Sequence, residues 1–148
     1  MNTEEFKIGH VSPGALFRGE NFEEFLSLAE ADLIENRRWV PATLFFLTEW
    51  ERILGGIQIR HHINHSNLME YGWHIWYGIR PSERRKWYAT KMLELALVEA
   101  KKLWIDRVLL GCYDDNIASQ KTIENNGGFF ERYTEFEGKK SRRYWIEL

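Results

Sequence analysis

Cysteine, proline and long apolar runs are scarce in this chain of 148 residues. The single cysteine, Cys112, excludes a disulfide framework and a zinc site built from cysteines. The three prolines are scattered, and no Pro-, Gly- or Ser-rich stretch marks a linker between domains. No apolar run approaches the roughly 20 residues of a membrane-spanning helix, and the start of the chain lacks the basic and apolar blocks of a signal peptide. We therefore expect one cytoplasmic domain over residues 1–148, in which residues 1–20 form an irregular arm or a truncated first unit.

An excess of charge of either sign is also missing. The 20 Lys and Arg residues nearly balance the 22 Asp and Glu residues, for a formal net charge of -2. Nucleic acids and anionic membranes usually bind a basic surface, so we expect neither as a partner. Hydrophobic residues make up 44% and charged residues 28% of the chain, which is typical of a folded globular domain.

A clear succession of helical and extended patterns is present. Apolar residues recur at helical spacing in the longest helix, which we expect to begin at Ser82 or Glu83. Its predicted apolar face comprises Ala89, Met92, Leu93, Ala96, Leu97, Ala100 and Leu103. We predict helices over 21–38, 82–103 and 116–126, and strands over 42–47, 53–59, 71–80, 107–112, 129–136 and 142–148. This order predicts an α/β (α+β) domain in which helices pack on a sheet.

The turn before the longest helix is the most informative segment. Arg84, Arg85 and Lys86 stand where a strand ends and a helix begins. A helix N-terminus presents free backbone N–H groups and the positive end of the helix dipole, which suits a phosphate or pyrophosphate. From the turn alone, a solvated basic surface is an equally good interpretation.

Two segments of the chain resemble motifs of one enzyme family. Residues 84–89 (RRKWYA) resemble motif A of the GCN5-related N-acetyltransferase (GNAT) superfamily, which runs Arg/Gln-x-x-Gly-x-Gly/Ala. Residues 115–119 (DNIAS) and 124–128 (ENNGG) resemble its motif B, and the RYWI at 143–146 is similar to the last strand of bacterial members. The resemblance covers about residues 40–148. It implies a mixed, mostly antiparallel central sheet flanked by helices, with a V-shaped gap between the family's fourth and fifth strands.

The resemblance implies an activity and a cofactor site. An acetyl group would move from acetyl-coenzyme A to a primary amine of a small molecule or protein by direct attack, without a metal, in a monomer or homodimer. The alternative is a catalytically degenerate module or sensor that binds acyl-coenzyme A. Pyrophosphate would lie at the motif A loop, pantetheine along the preceding strand, and the thiol end near motif B. The implied cofactor-binding residues are Tyr77, Gly78, Ile79, Arg84, Arg85, Lys86, Trp87, Tyr88, Ala89, Thr90, Asn116 and Ser119.

The groups that would move protons are less clearly marked. Ile123 stands where many family members carry the tyrosine that protonates the leaving thiolate, so Tyr113 and Ser119 are the candidate donors. His74 and Glu70 are the candidate bases, because both lie near the strand that would line the gap and histidine titrates near neutrality. The alternative, which we favour, is that His74 is a hydrogen-bonded strand residue.

Other polar residues have simpler interpretations. His61, His62 and His65 lack a matching carboxylate or thiol cluster, so we interpret them as a polar loop and not as a metal site. Arg142 and Arg143 can be explained as charges on an edge strand.

Tryptophan is unusually abundant, with seven residues, and six of them stand where the local pattern is typical of glycine. These positions are helix ends, a hairpin turn, the cofactor strand and the motif A glycine, where an indole is expected to crowd the phosphates. We hypothesise that all six are glycine in the natural protein, because UGA codons were read as tryptophan; a tryptophan-rich binding surface is the alternative. Unusual backbone at positions 39, 50 and 104 would support the hypothesis. The six are Trp39, Trp50, Trp73, Trp76, Trp87 and Trp104, whereas Trp145 is an ordinary strand residue.

Overall fold

The structure is a computed structural model that describes residues 22–31, 40–50, 52–64 and 72–148. The predictions for Trp39, His65 and Glu70 lie outside these residues. The described helices are α1 (Phe22–Ala31), α2 (Tyr88–Lys102) and α3 (Ile117–Asn125), and a short 3-10 turn spans Pro81–Glu83. The described strands are β1 (Ala42–Glu49), β2 (Arg52–Arg60), β3 (Ile75–Ile79), β4 (Arg107–Tyr113), β5 (Phe129–Phe136) and β6 (Lys139–Glu147).

The strands form two antiparallel sheets with the orders β1-β2-β3 and β4-β6-β5. The predicted α/β (α+β) fold, mostly antiparallel and flanked by helices, is thereby confirmed. The interpretation of Arg142 and Arg143 as edge-strand charges is wrong, since β6 lies between β4 and β5. Arg143 is buried, and its Nε donates to the Glu131 carboxylate at 2.9 Å, so its charge is compensated inside the sheet.

The two sheets meet at His74 and Leu109. The His74 N–H donates to the Leu109 carbonyl at 2.8 Å, and the Leu109 N–H donates to Nδ1 of the His74 ring at 2.9 Å. Among the described residues, no strand pairing joins β3 to β4 beyond this point. By the resemblance, β3 and β4 correspond to the family's fourth and fifth strands, and the V-shaped gap between them stays a prediction.

The main hydrophobic core lies between the sheets and helices α2 and α3. The apolar face predicted for α2 is confirmed: Met92, Leu93, Ala96 and Ala100 are buried, and the remaining predicted members pack against the same core. Three consecutive residues of β4, at 108–110, are fully buried, as expected for a strand covered on both faces.

A smaller cluster centred on Ile63, Trp73 and Leu109 lies on the other face of β4. In a regular strand, alternation would place Trp73 and Trp76 on opposite faces, yet both indoles belong to this cluster, and their ring centroids are 6.4 Å apart. The reason is that the regular strand begins only at Ile75, so the two-residue alternation does not extend back to Trp73.

Candidate active site

The segment between β3 and α2 forms a basic loop, which we define as residues 84–87. The predicted helix start at Ser82 or Glu83 is wrong, because α2 begins at Tyr88. Arg85 and Trp87 both have left-handed backbone, with φ of 62° and 65°, which a right-handed helix cannot include. The reversal of backbone hand therefore sets the beginning of α2.

Three contacts fix the basic loop against the sheet. Arg84 Nε donates to the Ile79 carbonyl at 3.1 Å, which ties the loop to the end of β3. Buried Glu83 forms ion pairs with Arg52 at 2.7 Å and with Lys86 at 2.9 Å. The hydrogen bond from Lys86 and the neighbouring positive charges hold the pKa of Glu83 below its usual range. Glu83 thus offsets part of the loop's positive charge, while the Arg85 side chain is exposed.

The N-terminus of α2 has no side-chain cap. Trp87 occupies the N-cap position, and an indole carries no acceptor for the first N–H groups of the helix. These N–H groups, the helix dipole and the basic loop together form a site suited to an anion. The structure thus brings together the residues predicted to bind pyrophosphate, namely Arg84, Arg85, Lys86, Trp87, Tyr88, Ala89 and Thr90.

A second group of predicted residues meets between β3 and α3. Tyr77 and Ser119 hydroxyl oxygens lie 2.6 Å apart, and burial raises the pKa of Tyr77 to about 12. Asn116 caps α3, since its Oδ1 accepts the Ser119 N–H at 3.1 Å. Tyr77, Gly78 and Ile79 belong to β3, which is the edge strand of its sheet on the side facing β4 in the described residues.

The side-chain contact of Tyr77 with Ser119 was not predicted from the sequence. Alternation along β3 indicates a face for Tyr77, but no sequence signal connects it to a serine 42 positions later. Ile123 is fully buried in the main core, so it supplies no proton donor here.

The remaining catalytic candidates have other partners. The two hydrogen bonds between His74 and Leu109 hold the sheets together. In one of them Nδ1 of His74 is the acceptor, so this nitrogen already has a partner. Burial, with the nearby charges of Arg60 and His62, lowers the pKa of His74 to about 4, which leaves the ring neutral at pH 7. The Tyr113 hydroxyl donates to Glu137 at 2.9 Å in the β5–β6 turn.

No metal-binding arrangement is found in the described ranges, where no three His, Cys, Asp or Glu side chains come together to hold an ion. His61 Nε2 instead lies 2.8 Å from the Thr43 hydroxyl. Of the described helices, none is long and apolar enough to cross a membrane.

Comparison with solved structures places the fold among acetyltransferases. A putative acetyltransferase of Salmonella typhimurium, yncA with its cofactor acetyl-CoA, aligns over 97% of this chain and 83% of its own, at 13% identity and a TM-score of 0.68. Spermidine N-acetyltransferase SpeG from Vibrio cholerae aligns over 87% and 76%, at 18% identity and a TM-score of 0.63. The microcin C7 self-immunity acetyltransferase MccE, in complex with acetyl-CoA and AMP, aligns over 94% and 77%, at 21% identity and a TM-score of 0.63.

A family model identifies the chain more closely. The model of the acetyltransferase (GNAT) domain matches residues 17–128, which is more than half of the chain. The protein therefore belongs to the GNAT acetyltransferase family. The comparison with curated protein sequences gives no significant match.

Proposed function

We propose that this GNAT domain transfers an acetyl group from acetyl-coenzyme A to a primary amine of a small molecule or a protein. The observation that carries the proposal is the uncapped N-terminus of α2, which follows the basic loop at the end of the edge strand β3. A cytoplasmic location and a monomeric or homodimeric state belong to the same proposal.

The backbone groups and the basic side chains at this site fit the two halves of the coenzyme. The first N–H groups of α2 and the exposed Arg85 suit a pyrophosphate, since both place positive charge where the helix has no acceptor of its own. Beside them, the backbone of Tyr77 to Ile79 lies at a sheet edge, where an extended amide chain such as pantetheine can pair like an added strand. Bound acetyl-coenzyme A would supply the activated thioester.

The proposed chemistry is a direct attack in which the amine nitrogen bonds to the thioester carbonyl carbon and the carbon–sulfur bond breaks. The leaving sulfur takes the electron pair and needs a proton, while the substrate ammonium must lose one proton to water or a base before its nitrogen can attack and a second once the carbon–nitrogen bond has formed. The Ser119 hydroxyl, backed by the Tyr77 hydroxyl at 2.6 Å, is the donor that we assign to the thiolate. Because its pKa is raised to about 12, Tyr77 stays protonated at neutral pH. When Tyr77 passes a proton to Ser119, it regains one from solvent. Glu70 remains the proposed base.

A catalytically degenerate module that binds acyl-coenzyme A is the second candidate. It is favoured by the fully buried Ile123 at the position where many members have a catalytic tyrosine. Isothermal titration with acetyl-coenzyme A, followed by a thiol-release assay with polyamines and with peptides that carry a free N-terminus, separates the two functions. Binding with amine-dependent thiol release supports the transferase, binding without release supports the module, and no binding contradicts both.

Reversing the charge of Arg85 tests the anion site. The variant Arg85→Glu is expected to weaken acetyl-coenzyme A binding about tenfold at low salt, because a carboxylate then faces the pyrophosphate. Lys101→Glu is the matched control, as it makes the same charge change at the exposed C-terminal end of α2. Titration calorimetry at two salt concentrations measures both variants, and equal losses of affinity would contradict the site.

A further inference from the structure

Three tryptophans occupy backbone conformations that favour glycine. Trp50, Trp87 and Trp104 have φ of 54°, 65° and 61°, and they are three of the five non-glycine residues with positive φ among the described residues. The other two are Arg85 and Glu137. Left-handed backbone is unfavourable for an L-residue, and a bulky residue there is a genuine outlier.

Burial offsets little of this backbone cost. Trp50, Trp87 and Trp104 are 97%, 74% and 93% exposed, so their indoles gain little from burial. Trp87 and Trp104 flank opposite ends of α2, whose 15 residues span about 22 Å. Their separation argues against one shared aromatic binding surface.

The ends of α2 and α3 allow a direct comparison within the molecule. After α2, the N–H groups of Trp104 and Ile105 donate to carbonyls three and five residues back, at 3.1 and 3.3 Å. After α3, Gly127 and Gly128 make the same two bonds, both at 3.0 Å, with φ of 82° at Gly127. This is the Schellman arrangement, in which the left-handed position usually belongs to glycine. Trp104 therefore takes the place that Gly127 takes in α3.

The other two positions also favour glycine. Trp50 is the first of two residues between the paired Glu49 and Arg52 in the β1–β2 hairpin, where positive φ selects Gly, Asn or Asp. Trp87 is the left-handed N-cap of α2, and no side-chain hydrogen bond repays its backbone cost.

We propose that positions 50, 87 and 104 are glycine in the natural protein, whose gene uses UGA as a glycine codon, and that tryptophan at position 87 obstructs the coenzyme site. The part on position 87 rests on the proposed function, whereas positions 50 and 104 do not. Trp73 and Trp76 are absent from the residues with positive φ and pack in the smaller cluster, so the backbone argument does not include them.

Thermal unfolding tests positions 50 and 104 without any ligand. For Trp104→Gly and Trp50→Gly we expect about a fivefold larger folding equilibrium constant and a rise in Tm of about 3 °C each. Trp104→Ala and Trp50→Ala are matched controls, since alanine removes the indole but keeps the left-handed cost, and we expect no rise. Gly127→Ala is the reverse experiment and should lower Tm. A Tm for the glycine variants at or below that of the alanine variants would overturn the inference.

Coenzyme titration tests position 87. Trp87→Gly is expected to bind acetyl-coenzyme A about tenfold more tightly than the tryptophan chain, and more tightly than Trp87→Ala. Equal affinity of all three would overturn the obstruction by Trp87. If none of the three proteins binds acetyl-coenzyme A, the proposed function is contradicted. The unfolding results at positions 50 and 104 do not depend on that function.

The gene and the natural protein provide an independent test. We expect UGA at codons 50, 87 and 104, UGG at codon 145, and peptide masses of the protein from its native cells that correspond to glycine at the three positions. UGG at any of the three, or a tryptophan mass there, would overturn the proposal.

Discussion

Replacing Tyr77 with phenylalanine is expected to lower kcat for acetyl transfer about a hundredfold, the loss typical of removing one proton-transfer group. The phenol and Ser119 hydroxyl oxygens are 2.6 Å apart, and the ring packs against the main core. Phenylalanine keeps that packing and removes only the hydroxyl. KM for acetyl-coenzyme A is therefore expected to change little, because the binding contacts that we propose for β3 come from its backbone.

The proton relay assigned to Tyr77 and Ser119 makes the two variants interdependent. Ser119→Ala is expected to reduce kcat about as much as Tyr77→Phe, and the double variant little more, since either change breaks the same relay. Tyr133→Phe is the matched control, because it removes a phenol from an exposed position on β5. Steady-state thiol release measures all four proteins.

Tyr113 is the rival proton donor, and Tyr113→Phe distinguishes the two assignments. Its hydroxyl already donates to Glu137, so we expect less than a threefold change in kcat, roughly what loss of a peripheral hydrogen bond causes. If Tyr113→Phe abolished turnover while Tyr77→Phe stayed fully active, the assignment of the donor to Tyr77 and Ser119 would be wrong.

Replacing His74 with leucine is expected to destabilise the fold by about 3 kcal/mol. The buried Leu109 N–H would lose its acceptor on the ring, which costs roughly 1–3 kcal/mol, and altered packing against Trp145 adds to this. His74→Asn is the matched variant, because its Oδ1 has the same connectivity to the backbone as Nδ1. We expect it to recover about half of the loss in urea unfolding. Equal instability of the two variants would contradict a role for the acceptor.

The pH dependence of stability provides a second measurement on His74. Its pKa is about 4 in the folded protein and 6.5 in the unfolded chain, so the unfolded chain binds more protons between these values. The contribution of His74 to the unfolding free energy is therefore fully present above pH 6.5, and about 3 kcal/mol of it is lost as the pH drops toward 4. His74→Asn does not titrate there, so its unfolding free energy is expected to vary less over this range. If the unfolding free energy of His74→Asn depended on pH as steeply as that of the unchanged protein, the assignment of this pH dependence to His74 would be wrong.

The sequence by itself determined the features that depend on local pattern. Helical periodicity identified the buried face of α2, the continuous apolar run identified the buried strand β4, and Gly127 and Gly128 marked the end of α3. The two GNAT motifs led to the family that the match over residues 17–128 establishes. The place of Trp50 in a hairpin turn and of Trp104 after a helix end also indicated positions that favour glycine, and both residues have positive φ in the fold.

Tertiary structure alone decided which distant residues meet. Alternation assigns a side chain to a face of a strand, but it does not say which strand or helix lies beside it. The central place of β6, with its buried Arg143, and the contact of His74 with Leu109 depend on pairings between segments far apart in sequence. The contact of Tyr77 with Ser119 likewise exists only because β3 and α3 pack against one core. Such contacts follow from the collective burial of apolar surface, to which every element contributes, and so no single segment of sequence encodes them.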